Sequence, residues 1–233
     1  MQSWIAWLRG PAFIFALSFM LLGLIRHVVL TVLEMRRSMQ RAGDKKIAYK
    51  PLWIATLKWL LPIRKLKTRR LFSVTSVVFH VAVIIVPLFL LAHISIWRRS
   101  TGLHWPGIPN ALADGLTIIA VVTALALVIE RVSARVTRAL SVFEDYALLL
   151  LIALPFATGF LMMHPAINIF PFQATMLLHF LSADLLLVLI PLTKLSHMAL
   201  MPEGQIISEV AWHWTPDAGS RLAVALGKEN ERV

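Results

Sequence analysis

The sequence predicts an all-α membrane protein of five transmembrane helices, with its N-terminus outside and its C-terminus cytoplasmic, on three observations. Its composition, 58% hydrophobic and 15% charged with a mean hydropathy of +0.76, is too apolar for one soluble domain of 233 residues. Five apolar runs reach the roughly 20 residues that a helix needs to cross a hydrocarbon core of about 30 Å. The basic residues fall between those runs with a strong asymmetry, which fixes an orientation.

The first run, Phe13 to Leu33, follows a stub with a single basic residue, Arg9. It has no small-residue cleavage pattern and exceeds the length of a signal-peptide core, so it reads as a retained span. The connection from residue 34 to residue 70 then carries twelve Lys or Arg. Within it, Leu52 to Leu61 is apolar, bears Trp53 and Trp59, and is too short to cross. It predicts an interfacial helix or a docking element for a cytoplasmic subunit.

The second run is Leu71 to Trp97, the third Ala111 to Glu130. Arg131, Arg135 and Arg138 follow, on the same side as the first basic loop. The fourth run is Asp145 to Met163 and the fifth Ala174 to Leu200. The two basic loops together hold fifteen cations, against three (Arg9, Arg98 and Arg99) on the opposite side. The net charge of +11 therefore has a topological meaning rather than pointing to nucleic acid. Residues 1–200 form the predicted membrane domain and 201–233 a cytoplasmic tail. With no cysteine, the chain itself holds no disulfide and no cysteine-bound iron–sulfur cluster.

Ionisable side chains are costly in hydrocarbon, so intramembrane histidines point to function. Four of the eight histidines lie in two spans: His80 and His93 in the second, His179 and His197 in the fifth. The two spans run antiparallel, so His80 shares the cytoplasmic leaflet with His197, and His93 shares the outer leaflet with His179. Separations of 13 and 18 residues correspond to about 20 and 27 Å of helix rise, room for two stacked macrocycles. Eighteen residues are five whole turns, which puts His179 and His197 on one face. Thirteen residues leave His80 and His93 about 220° apart on an ideal helix, so the second span must kink, and Pro87 is a ready cause. Two depth-matched pairs predict bis-histidine ligation of two b-type haems, with the four histidines as iron ligands. A polar network, or a pathway for protons or divalent metal ions, is the other use of the same residues.

Pro191-Leu192-Thr193-Lys194-Leu195-Ser196-His197, 18 residues beyond His179, together with Phe79-His80 and His93, resembles the gamma subunit of respiratory nitrate reductase. It is also similar to the cytochrome b subunits of membrane-bound heterodisulfide-reductase-like complexes of the DsrM type, to which the 13-residue spacing is closer. The resemblance runs from about Phe13 to Met201. It implies five spans with the N-terminus outside in the cytoplasmic (inner) membrane of the cell, and two haems b, the outer one on His93 and His179, the inner one on His80 and His197. It implies further a subunit that oxidises a quinol, menaquinol or ubiquinol, near the outer haem. Electrons then pass inward to a cytoplasmic iron–sulfur partner. Such a chain is the electron-transfer part of a respiratory oxidoreductase and no complete enzyme by itself. A proton or divalent-metal transporter and a purely structural membrane anchor are the alternatives.

The remaining polar residues near the spans complete the reading. Arg98, Arg99 and His104 cluster beyond His93, where His104 could accept a quinol proton; an interfacial belt of Trp97 and Trp105 with arginines at phosphates is the simpler account. Lys194, one turn before His197, is placed to meet a haem propionate or to snorkel toward headgroups. Asp184 is expected to relay protons, to partner a haem-site group, or to hydrogen-bond a residue such as Thr123 or Thr158 on another helix. Arg26 snorkels, and His27 falls outside the paired set.

Overall fold

A computed structural model describes residues 1–41, 50, 53–54, 57–58, 70–210 and 218–230. A short helix α1 (Gln2–Trp7) passes through a π-turn (Leu8–Ala12) into α2 (Phe13–Arg41). There follow α3 (Arg70–Phe89), α4 (Leu91–Thr101), α5 (Asn110–Ser133), the single turn α6 (Arg135–Ala139), α7 (Phe143–Met163) and α8 (Phe172–Leu189). Two 3₁₀ turns (Ile190–Leu192 and Lys194–Ser196) lead to α9 (His197–Val210), and α10 (Ala218–Ala225) closes the order. Among the described residues there is no strand, only an isolated bridge between Leu90 and Ile108.

Five helical stretches are long and apolar enough to cross a membrane: Gln2–Gln40, Arg70–Phe89, Asn110–Ser133, Phe143–Met163 and Phe172–Leu192. The protein is thus an all-helical, multi-pass membrane protein. The expected Trp-bearing stretch 52–61 lies outside the described residues, apart from Trp53, Ile54, Leu57 and Lys58, which are helical and exposed. Most of the basic loop around it also lies outside them.

Three helix boundaries differ from expectation, each for a local reason. The first apolar helix begins well before Phe13. Pro11, which has no N–H to give, is accommodated by widening the turn at Leu8–Ala12. The second span is interrupted at Leu90, whose extended backbone (φ −69°, ψ 127°) ends α3 and restarts the helix as α4. The kink expected at Pro87 is therefore a full break three residues later. The fifth helix ends at Leu189, and Thr193 takes an extended conformation (φ −126°, ψ −177°) before α9 begins at His197. The count of five unbroken turns between His179 and His197 is corrected accordingly: no single helix carries both.

The chain divides into two compact units. Unit 1 comprises residues 1–18 and 64–188, and unit 2 residues 19–63 and 189–233. In unit 1, α5 lies between α3 and α7. Its buried stripe is Ala113, Thr117, Ala120, Ala124 and Leu127, spaced by three and four residues as one helix face requires. Phe79 packs with Ala124, Leu127 and Ala153, and Ala82 and Val86 with Ala120 and Phe156. Small residues at these seams let backbones approach, the usual means of holding helices together where lipid removes the hydrophobic drive. Large apolar side chains point outward instead, Leu22, Val122, Ile129 and Leu181 among them. In unit 2, His27 Nε2 donates to Pro191 O at 2.8 Å, and Gly23 leaves the space that the Pro191 ring occupies.

Candidate functional site: a histidine pair at a helix break

The break at Leu90 frees the carbonyls of Pro87, Leu88 and Phe89, because the N–H groups four residues on belong to the first turn of α4. Carbonyls freed at the end of an apolar helix call for replacement donors, and all three have one. His93 Nδ1 donates to Pro87 O at 3.2 Å, Trp105 Nε1 to Leu88 O at 2.7 Å, and the Ile108 N–H to Phe89 O at 2.9 Å. The break is thus fully compensated, and one of its three donors is His93 itself.

His179 is held from α7. Its Nδ1 donates to Pro155 O at 2.9 Å, with Thr158 Oγ1 beside it at 3.3 Å. A Cβ on Gly159 would stand 3.1 Å from His179 Cε1, so glycine leaves the width that the ring needs. The α7 positions 155, 158 and 159 together form the seat of this imidazole.

The two rings face one another. Their centroids lie 6.2 Å apart with planes only 19° from parallel. A carbonyl can only accept, so in both rings Nδ1 carries the hydrogen and the neutral ring keeps its lone pair on Nε2. That is the arrangement metal-ligating histidines adopt, with the outer nitrogen tied to a carbonyl. The two imidazoles thus form a close pair, each with Nδ1 tied to a carbonyl and Nε2 left as the nitrogen that could coordinate.

His80 and His197 carry the same bond in separate units. His80 Nδ1 donates to Ser76 O at 2.6 Å, and His197 Nδ1 donates to Lys194 O at 2.7 Å; both side chains are exposed. His27 has the opposite pattern, with Nε2 as its donor. His164 donates through Nδ1 to Phe160 O at 2.9 Å and turns Nε2 to Asp114 at 3.4 Å. Lys194 is exposed within its 3₁₀ turn. His213 lies outside the described residues.

Arg98, Arg99 and His104 are all exposed at the end of α4 and in the loop after it. Trp97 stands 6.1 Å from Trp105 and 6.5 Å, edge-on, from Phe13. Asp184 is buried, and its Oδ2 has no hydrogen-bond partner. The expected bond to Thr123 or Thr158 is not made by that oxygen. Both hydroxyls donate within their own helices, Thr123 to Ile119 O at 2.6 Å and Thr158 to Leu154 O at 2.8 Å. Among the described residues no three His, Asp or Glu side chains gather as a metal centre; the site is a pair.

The chain is 32% identical to a protein of Nitratidesulfovibrio vulgaris (strain Hildenborough) over 213 residues, covering 86% of this chain and 91% of that one. It belongs to that protein's family. No family profile and no solved structure matches the chain. Sequence reasoning chose His93 and His179 but missed what seats them: Gly159, Thr158, Trp105 and the carbonyls of Pro87 and Pro155. Prolines inside apolar runs were the available signal, since each marks a disturbed ladder of backbone bonds.

Proposed function

We propose that the chain is the di-haem cytochrome b membrane subunit of a respiratory oxidoreductase. In this reading it oxidises quinol near the outer face and serves a cytoplasmic iron–sulfur partner. The observation that carries it is the His93–His179 pair, with near-parallel rings 6.2 Å apart and both lone-pair nitrogens set by carbonyl-bound Nδ1–H groups. His93 and His179 hold the outer haem, His80 and His197 the inner one. A bound haem supplies reversible one-electron transfer, with a potential set by its ligands and burial. The protein's share is to fix the ligand rings through their Nδ1–carbonyl bonds. An orientation with the basic loops cytoplasmic supports this assignment of inner and outer.

The test is a dithionite-reduced minus oxidised spectrum of the purified full chain. A b-type α-band with about two haems per chain is expected. No α-band in protein from haem-replete cells would reject the reading and leave the transporter and anchor alternatives. A second expectation follows from the seat of His179. Gly159→Val places two methyl groups where a single Cβ already stands 3.1 Å from the ring, so the outer haem should be lost and the α-band should fall by about half. A full α-band in that variant would show that His179 is not a ligand.

A further inference from the structure

The geometry points to the loop of residues 102–109 as a positioning element for His93, with Trp105 and Gly107 as its working residues. The inference rests on the reading of His93 as a ligand but concerns residues that do not touch the ligand. His93 is the third residue after the break at Leu90, so its direction depends on the angle at which α4 leaves α3. That angle is held by the loop rather than by the helices alone. Trp105 Nε1 supplies the hydrogen bond to Leu88 O, Ile108 N–H supplies the one to Phe89 O, and Leu90 and Ile108 form a backbone bridge. Gly107 permits this approach. A Cβ there would fall 2.5 Å from Leu91 Cδ2 and 3.0 Å from Phe89 O, both at the break itself.

Unsatisfied carbonyls shielded from water are costly, so a break with one donor removed relaxes toward continuous helix or toward another donor. Either change rotates His93 and disturbs its own bond to Pro87 O. The loop thereby sets the orientation of the His93 ring from a distance, and outer partners of this kind tune metal sites where the ring is a ligand.

The experiment compares the parent, Trp105→Phe and Gly107→Ala as full chains in membrane mimetic with ¹⁵N-labelled histidine, prepared from haem-deficient and haem-replete cells. In haem-free protein, the ring-nitrogen resonance of His93, assigned through His93→Gln, should leave its carbonyl-bonded position in both variants, while those of His27 and His80 stay. In loaded protein, the midpoint potential of one haem should move and the other should not. A His93 resonance that stays put in either variant overturns the proposal. So does joint movement of the His27 and His80 resonances, which would report general loosening. The absorbance of the parent separately decides whether His93 binds haem at all, so failure of that reading and failure of the positioning role are told apart.

Discussion

His179→Ala and His93→Ala should each lower haem content from two to about one per chain, and the haem lost should be the same in both. His80→Ala and His197→Ala should each remove the other haem. The expectation is strongest for the first pair, because these are two histidine rings that the fold brings within 6.2 Å of one another. Haem content with redox titration of the residual α-band checks it. If His80→Ala and His93→Ala left residual haems of the same spectrum and potential, the assignment by depth would be wrong.

The second large effect concerns proton removal from quinol. His104 is exposed in the loop that also carries Trp105, close in sequence to the break that places His93. If quinol docks there, His104→Ala should slow haem reduction by quinol by about 10²- to 10⁴-fold while leaving haem content intact, the usual contribution of a general base. Stopped-flow reduction with a short-chain quinol measures it. Undiminished quinol reduction of the inner haem in a variant without the outer one would put the docking site on the opposite face and reject quinol oxidation near the outer haem.

Much of the architecture could be read from composition and charge, because hydrocarbon imposes so few choices on a backbone. Five runs of apolar residues had to be helices, and the third and fourth came within three residues of their observed ends. The breaks at Leu90 and Thr193 could not be read. Neither residue is a helix breaker by type; donors from Trp105 and Ile108 meet the carbonyls before Leu90, and His27 meets the Pro191 carbonyl two residues before Thr193. Pro87 pointed to trouble in the second span, yet where the ladder fails is decided by Trp105 and Ile108, some twenty residues later. Depth alone was enough to pair His93 with His179, since rise per residue is nearly constant along a helix. The seat of His179 was invisible because Gly159 acts by what it lacks, and a missing methyl group leaves no pattern in a sequence.

The carbonyl bonds at Pro87 and Pro155 also bear on biogenesis. A free imidazole exchanges its hydrogen between two nitrogens, and a ring caught in the wrong tautomer must surrender a proton before it can coordinate. Here the backbone makes that choice at the moment the helices assemble. In the di-haem reading, neither ring then has to lose a proton to take up the iron, and the fold can precede it. A newly inserted chain would wait in the bilayer with its receptor already shaped, so supply of the prosthetic group, rather than rearrangement of the protein, would govern how fast the subunit matures.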